Sequence, residues 1–373
     1  MEQTALELIY VIGCAEKGAL ADLTKVTDIG GLVRLAKKHS LIPYVYNALV
    51  KAGYAETESL KKVIDHGRAR ETLQLHYKEV VSRALCENSI PHVFLKGQDI
   101  KKFMPSDVER FSCDVDVYYP ISFRKKVNKV MAGLGFKKEE KEKLHDTFFI
   151  PPFVSFEMHF VSDLSKKDLY GDFSKFQKVE EYRYQMRDED IYIYSIIHAV
   201  RHFRSAGIGL RALIDCYFIK KGLKGDFNYI NEVLNSIGLL EFEKHFITLA
   251  ELCFNGKKVS GLYLDMLNYI VKSATYGSDY NKNLVNTSGE VTEQKAKRKQ
   301  FRKRLFPPFR EMKIAYPVLK PLPMLLPFLW VYRLIVAVLF KRKKVKGEIK
   351  AIKSFSQEKI ASNKKMFSEL KLD

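Results

Sequence analysis

The spacing of hydrophobic positions changes twice along the chain. As far as about residue 90 it is helical. In "GLVRLAKKHSLIPYVYNALVKAG", Leu32, Leu35, Leu41, Val45 and Leu49 keep close to a helical period, with Pro43 opening a new helix and Gly53 closing it. "LKKVIDHGRARETLQLHYKEVVSRALCENSI" predicts one long amphipathic helix from about Leu60 to Cys86. The pattern then shortens. "PHVFLKG" is a brief apolar run between proline and glycine, which predicts a buried strand. "CDVDVYY", "DTFFI" and "VSFEMHF" alternate as half-buried strands do, and Pro151 and Pro152 between the last two predict a hairpin or neighbouring strands. "QDIKKFMP" fits a short helix, and "SFRKKVNKVMAGLGF" a helix ended by Gly133 or Gly135. From about Asp188 the helical period returns. "DEDIYIYSIIHAVRHF" and "LRALIDCYFIKKG" predict two packed helices, and "FNYINEVLNSIGLLEFEKHFITLAELCFNG" two or three more. "TYGSDYNKNLVNTSGEVTEQ" is polar and glycine-spaced, hence a loop.

This order predicts an α+β protein: an N-terminal helical region over 1–87, a small mixed-sheet α/β core over 88–165, a helical domain over 166–290, and a basic, apolar C-terminal helical segment over 291–373. With 373 residues, 46% hydrophobic and 29% charged, the chain can bury a substantial core and is not a disordered one. A formal charge of +19 favours an anionic partner: nucleic acid, nucleotide phosphates or an acidic membrane. Much of the excess lies in "KAKRKQFRKR" (295–304) and "KRKK" (341–344), for which solvated tails are the simpler account. Five scattered cysteines without a C-x-x-C pair argue against a disulfide framework or zinc knuckle and for a reducing, cytoplasmic setting. The acidic N-terminus lacks the basic stretch and cleavage site of a signal peptide.

The chemistry concentrates in the alternating region. Asp114 and Asp116 are spaced to share one face of a strand, where two carboxylates repel unless cations lie between them. Glu157, on a second alternating strand, is the natural third carboxylate, and oxygen donors of this kind suit a pair of Mg²⁺ ions. Lys96-Gly97 ends the preceding strand, where glycine lets backbone approach a phosphate and the lysine reaches either phosphate or water. Arg110 pairs with Asp114, holds the loop or binds phosphate. His159 shares the face of Glu157 and orients that carboxylate or the substrate. Arg211 and Asp215 are an i,i+4 pair, either an ordinary helix bridge or a hold on substrate. His198 and His202 have the helical spacing of zinc ligands but neither the intervening glutamate nor a third ligand, so a hydrogen-bonded pair near the cleft is expected instead.

"FLKGQDI" followed by "ERFSCDVDVYY" resembles the core of the polymerase-beta-like nucleotidyltransferase superfamily: a strand ending in glycine, a short helix, then a strand carrying D-x-D. "RFSCDVD" is also similar to abortive-infection nucleotidyltransferase toxins. With "LAKKHSLIP", "EMHF", "IIHAVRHF" and "LRALID" in order, the chain from about residue 30 to 340 is similar to a bacterial family of uncharacterised nucleotidyltransferases. The resemblance implies transfer of a nucleotide from an NTP to a hydroxyl acceptor, with Asp114 and Asp116 on the metals, Glu157 as third carboxylate and candidate general base, and Gly97 near the triphosphate. RNA, protein, a sugar or a metabolite is open as acceptor; the basic surface favours a large anionic one. One departure stands out: Gln98 occupies a position where many superfamily members have a second small residue. A module that binds nucleotide or glycan at a membrane in a polysaccharide pathway, with little or no turnover, is the alternative.

"LPMLLPFLWVYRLIVAVLF" (322–340) is strongly apolar between basic runs. A membrane span needs at least ~17 residues, and here Pro323 and Pro327 break its first turns while Arg333 at mid-bilayer would cost ~3 kcal/mol. A helix packed on the protein, or one lying on an acidic membrane at the inner face through residues 314–346, is expected instead.

Overall fold

The computed structural model describes residues 2–95, 97–141, 145–160, 173–275, 321–340 and 357–372, with scattered positions between 277 and 319. Lys96, most of the loop expected over 275–294 and the basic run 341–344 lie outside the described residues. The chain divides into two compact units, Met1–Arg201 with Gly209–Val259, and His202–Ile208 with Ser260–Asp373.

In the first unit, the helical spacing near the N-terminus becomes α1 (Glu2–Glu16), α2 (Ile29–Lys38), α3 (Ile42–Lys51) and α4 (Thr57–Glu87). The Asp28 side chain caps α2 by accepting from the Gly31 amide, and proline starts α3 where its missing N–H costs nothing. The sheet is built from β1 (His92–Leu95), β2 (Val115–Tyr118), β3 (Lys137–Lys141), β4 (His145–Ile150), β5 (Val154–His159), β6 (Gln177–Lys178) and β7 (Arg183–Gln185). Among the described residues it runs β3-β4-β5-β2-β1-β7-β6. β2 lies parallel to β5 and antiparallel to β1, and β4 with β5 form the expected hairpin.

One sheet face is covered. Phe94, Val117, Phe148, Phe156 and Met158 pack there with Val81 and Leu85 of α4 and with Val127 and Met131 of α5 (Arg124–Gly133). Because side chains alternate across a strand, burying these residues turns Asp116, Glu157 and His159 to the other face. The unit is completed by most of α6 (Asp188–Ser205), by α7 (Leu210–Gly222), α8 (Phe227–Ser236) and α9 (Leu240–Phe254). The outcome is the expected α+β class, with a mixed sheet among helices.

In the second unit, α10 (Leu262–Ser273) and α12 (Gln357–Glu369) bring Tyr269 and Phe367 against Phe203, with ring centroids 4.7 Å apart for Phe203–Tyr269 and 5.5 Å for Phe203–Phe367. The Tyr269 hydroxyl donates to the Phe203 carbonyl at 2.8 Å. Between them in sequence lies α11 (Leu326–Phe340). Its Trp330 indole donates to the Pro307 carbonyl at 3.0 Å and meets the Phe306 ring edge-on. No helix among the described residues is long and apolar enough to cross a membrane. At 15 residues α11 extends about 22 Å, short of a ~30 Å hydrocarbon core.

Candidate active site

The chain leaves β1 at Leu95 and turns at Gly97, whose φ is +71°. A Cβ there would lie 3.7 Å from Ser112 Oγ, so space is available and the left-handed backbone is what selects glycine. A 3-10 helix, Gly97–Phe103, follows and matches the short helix expected. The chain returns through Arg110–Ser112 to β2. Gly67 is fixed by that return: a Cβ on it would fall 2.3 Å from the Phe111 ring, so the middle of α4 carries glycine despite its cost of about 1 kcal/mol in a helix.

β2 begins at Val115, so Asp114 sits in the bend just before the strand, half-buried, while Asp116 is within it and buried. In the parallel β2–β5 register Asp116 is opposite Glu157, and Tyr118 is opposite His159. The His159 Nε2 lies 3.0 Å from Asp116 Oδ1 and 3.4 Å from Glu157 Oε2. On the hairpin's other arm His145 is opposite His159, with its Nε2 3.8 Å from the same Glu157 oxygen and the two imidazole centroids 4.8 Å apart. Burial by itself would lower the His159 pKa, but the hydrogen bonds and charges of Asp116 and Glu157 outweigh it and raise it to about 9.

Beside this cluster is a second network. Arg110 is buried and its guanidinium is engaged throughout: Nε reaches both Asp215 oxygens at 3.2 and 3.1 Å, Nη2 donates to Asp215 Oδ2 at 3.1 Å, and Nη1 donates to the Gly97 carbonyl at 2.8 Å. Tyr44 donates its hydroxyl to Asp215. Arg211 Nη2 donates to the Phe111 carbonyl at 2.5 Å, while its Nε is 3.8 Å from Asp215. Burial would raise the Asp215 carboxyl, yet the Arg110 and Arg211 charges hold it below its ordinary value. Burial would likewise lower Arg110, and Asp215 and Tyr44 reverse that. The network thus ties the strand-end glycine, the segment before the aspartates and α7 to one carboxylate.

Of the residues expected to act, Asp116, Glu157 and His159 converge on one face. Arg110 and Arg211, expected to hold substrate or loop, contact protein groups: Asp215 and the backbone on either side of the aspartates. Arg110 pairs with Asp215 rather than with Asp114 through its Nε and Nη2. His145 was missed, although the hairpin pairing is legible: with Ile150 opposite Val154, each step outward pairs the next residues and reaches His145 opposite His159. His198 and His202 are absent from the metal-capable group among the described residues, which is His145, Glu157 and His159.

The mixed sheet thus sets a strand-end glycine turn beside a strand aspartate, itself opposite a glutamate of a parallel neighbour, which is the order of parts that the sequence resemblance implies. Residues 25–255 match the family model described as "Uncharacterised nucleotidyltransferase", and the chain belongs to that family; it is a nucleotidyltransferase. No curated protein matches it. Among solved structures it is similar to that of ANT(2")-Ia in complex with adenylyl-2"-tobramycin, at 12% identity and a TM-score of 0.34, over 44% of this chain and 97% of that one.

Proposed function

We propose that the chain moves a nucleoside monophosphate from an NTP to a hydroxyl acceptor in a divalent-metal-dependent reaction. The observation that supports this reading best is the register of β2 and β5, which sets Asp116 against Glu157 on the sheet face not covered by α4 and α5. The donor chemistry fits magnesium, since Asp114, Asp116 and Glu157 offer hard carboxylate oxygens. Two Mg²⁺ ions bound there would neutralise the triphosphate and the departing pyrophosphate. Glu157, 29% exposed at its side chain, takes the acceptor's proton as general base. The freed acceptor oxygen then bonds to the α-phosphorus as the bond to the β-phosphate oxygen breaks, and pyrophosphate leaves with that electron pair. The Gly97 turn, with Lys96 before it, borders the triphosphate. His159 holds Asp116 and Glu157 in their relative positions. Arg110 and Arg211 act as positioning residues through the Gly97 and Phe111 carbonyls.

RNA, a protein, a sugar or a metabolite would serve as acceptor, with the charge of +19 favouring a large anionic one. The test is Mg²⁺-dependent transfer of α-phosphate label from each of four NTPs to pooled RNA, protein and small hydroxyl acceptors. Label appearing in an acceptor with release of pyrophosphate supports the reading. Absence of transfer with every NTP, together with tight NTP binding, would favour the alternative of a nucleotide- or glycan-binding module.

An exposed stripe on α11 supports peripheral contact with an acidic membrane at its cytoplasmic face. Phe328, Val331, Tyr332, Ile335 and Leu339 recur at helical spacing and are all more than half exposed, while Trp330 and Arg333 turn toward residues 304–307. The helix is followed directly by "KRKK", and such a pairing of apolar stripe and cationic flank complements anionic headgroups. Each basic residue near such a surface contributes about 1 kcal/mol. The full chain is therefore expected to float with phosphatidylserine-containing liposomes and to stay behind with neutral phosphatidylcholine ones. Phe328→Ser combined with Ile335→Ser should remove flotation; binding unchanged by that pair would refute the contact.

A further inference from the structure

We infer that His145, Glu157 and His159, with Asp116 beside them, form a binding site for a single divalent transition-metal ion of the zinc or cobalt type, its two imidazole donors setting it apart from the all-carboxylate set proposed for magnesium. One ligand atom from each of the three lies within 4.8 Å of the others. Around Glu157 Oε2, His159 Nε2 is at 3.4 Å and His145 Nε2 at 3.8 Å, and Asp116 Oδ1 is 3.0 Å from the same His159 nitrogen. Ions held at ~2.0–2.2 Å by nitrogen and oxygen donors in tetrahedral sites have donors roughly 3.2–3.6 Å apart, and the distances of the two imidazole nitrogens from Glu157 Oε2 bracket that separation.

The fold places them there without reliance on a loop. His145 and His159 are directly opposed across the antiparallel β4–β5 pair, and Asp116 and Glu157 across the parallel β2–β5 pair. Both imidazoles are buried, at 8% and 4% exposure, so their positions are set by packing. Glu157 is the most open of the cluster and gives the ion its approach from solvent. Donor type decides the metal. Two imidazole nitrogens are poor partners for magnesium, which prefers an oxygen shell with several waters, and good ones for zinc or cobalt. Glu157 is shared with the proposed transfer site, and Asp116, beside the His159 nitrogen, belongs to that site as well, but the inference goes beyond that reading and its test uses no nucleotide.

The probe is the metal alone. The purified full-length chain, stripped with chelator, is titrated with Co²⁺ and Zn²⁺ in excess Mg²⁺, following Co²⁺ ligand-field absorption and metal retained after gel filtration. One tightly held ion per chain, giving the intense visible bands of four- or five-coordinate cobalt and displaced by Zn²⁺ but not by Mg²⁺, is the expected result. His145→Gln should weaken binding about 100-fold or more, the upper end of what even an indirect partner of a metal ligand costs. His145 is chosen because it has no part in the proposed transfer chemistry. Should that variant fail to fold, Zn²⁺ titration of the wild-type chain with ¹³C-labelled histidine provides the answer: two imidazole signals must shift together and saturate at one equivalent. Weak octahedral-type cobalt spectra, ready displacement by Mg²⁺, or no histidine signal moving would overturn the site. Loss of the site with transfer intact, or transfer lost with the site intact, tells the two readings apart.

Discussion

Asp116→Asn is expected to lower nucleotide transfer about 10³-fold or more, roughly 4 kcal/mol of transition-state stabilisation, while leaving the fold in place. Asparagine has nearly the volume of aspartate, and its carbonyl oxygen can still accept from His159 Nε2, which lies 3.0 Å from Asp116 Oδ1. What it lacks is the charge. In the proposed reaction Asp116 is one of three carboxylates that would hold the magnesium ions, and Asp114 and Glu157 alone would leave that negative charge incomplete. The same loss acts on His159. Its pKa reaches about 9 only because two carboxylates outweigh burial, so with one removed the imidazole titrates lower. A histidine pKa raised by its partners contributes stability that is complete below about 6.5 and disappears as pH climbs through about 9. The variant should accordingly have a flatter loss of stability on the alkaline side than the parent. Transfer rates with saturating NTP, beside thermal melts at several pH values, measure both consequences. A variant that melts normally and transfers at the parental rate would remove Asp116 from the chemistry.

The sheet's centre was readable because its residues obey two demands at once. Val115 and Val117, like Phe156 and Met158, face α4 and α5, so the acidic residues between them had to face away. The edges carry no such constraint. β3 is "KKEEK", without an apolar residue, and no alternation marks it as a strand; charge there suits an edge that must not pair with another chain. β6 and β7 are two and three residues long, too short to show a period. The start of β2 was also misjudged: the D-x-D spacing suggests a strand through Asp114, but ladder pairing begins at Val115. Distant partners were the hardest to see. Arg211 and Asp215 are four apart and read as a helix bridge, which forms at 3.8 Å, but Arg110, 105 residues away in sequence, takes the same carboxylate more closely, at 3.1 Å. Tyr44 comes to the same carboxylate across 171 residues. Only the fold, with α3 and α7 meeting over the β2 approach, makes that convergence.

The Asp215 network carries the second large effect, on stability. Asp215→Ala leaves the Arg110 guanidinium buried without its partner, and stranding a buried charge costs about 3–5 kcal/mol. For a unit of this size that lowers the melting temperature by on the order of 10 °C. Arg110→Ala should cost less, since Arg211 and the Tyr44 hydroxyl still face the carboxylate. Arg110→Met combined with Asp215→Leu is expected to cost much less than the two alanine changes added together, because neither charge is left behind. The acid limb of stability gives an independent reading. The folded carboxyl titrates below 3.8, so its contribution is complete above that value and fades as pH falls through the lower folded value. Asp215→Asn should lack that component and lose less stability on acidification. Activity then separates structure from placement. The Met/Leu pair keeps the core filled but removes the donor to the Gly97 carbonyl, held at 2.8 Å in the parent, so transfer should fall chiefly through weaker NTP binding even in a chain that melts normally. A Met/Leu variant with parental NTP affinity would confine Arg110 to holding the fold together; one that melts as low as the single alanine variants would show that the stranded charge is not what sets the cost.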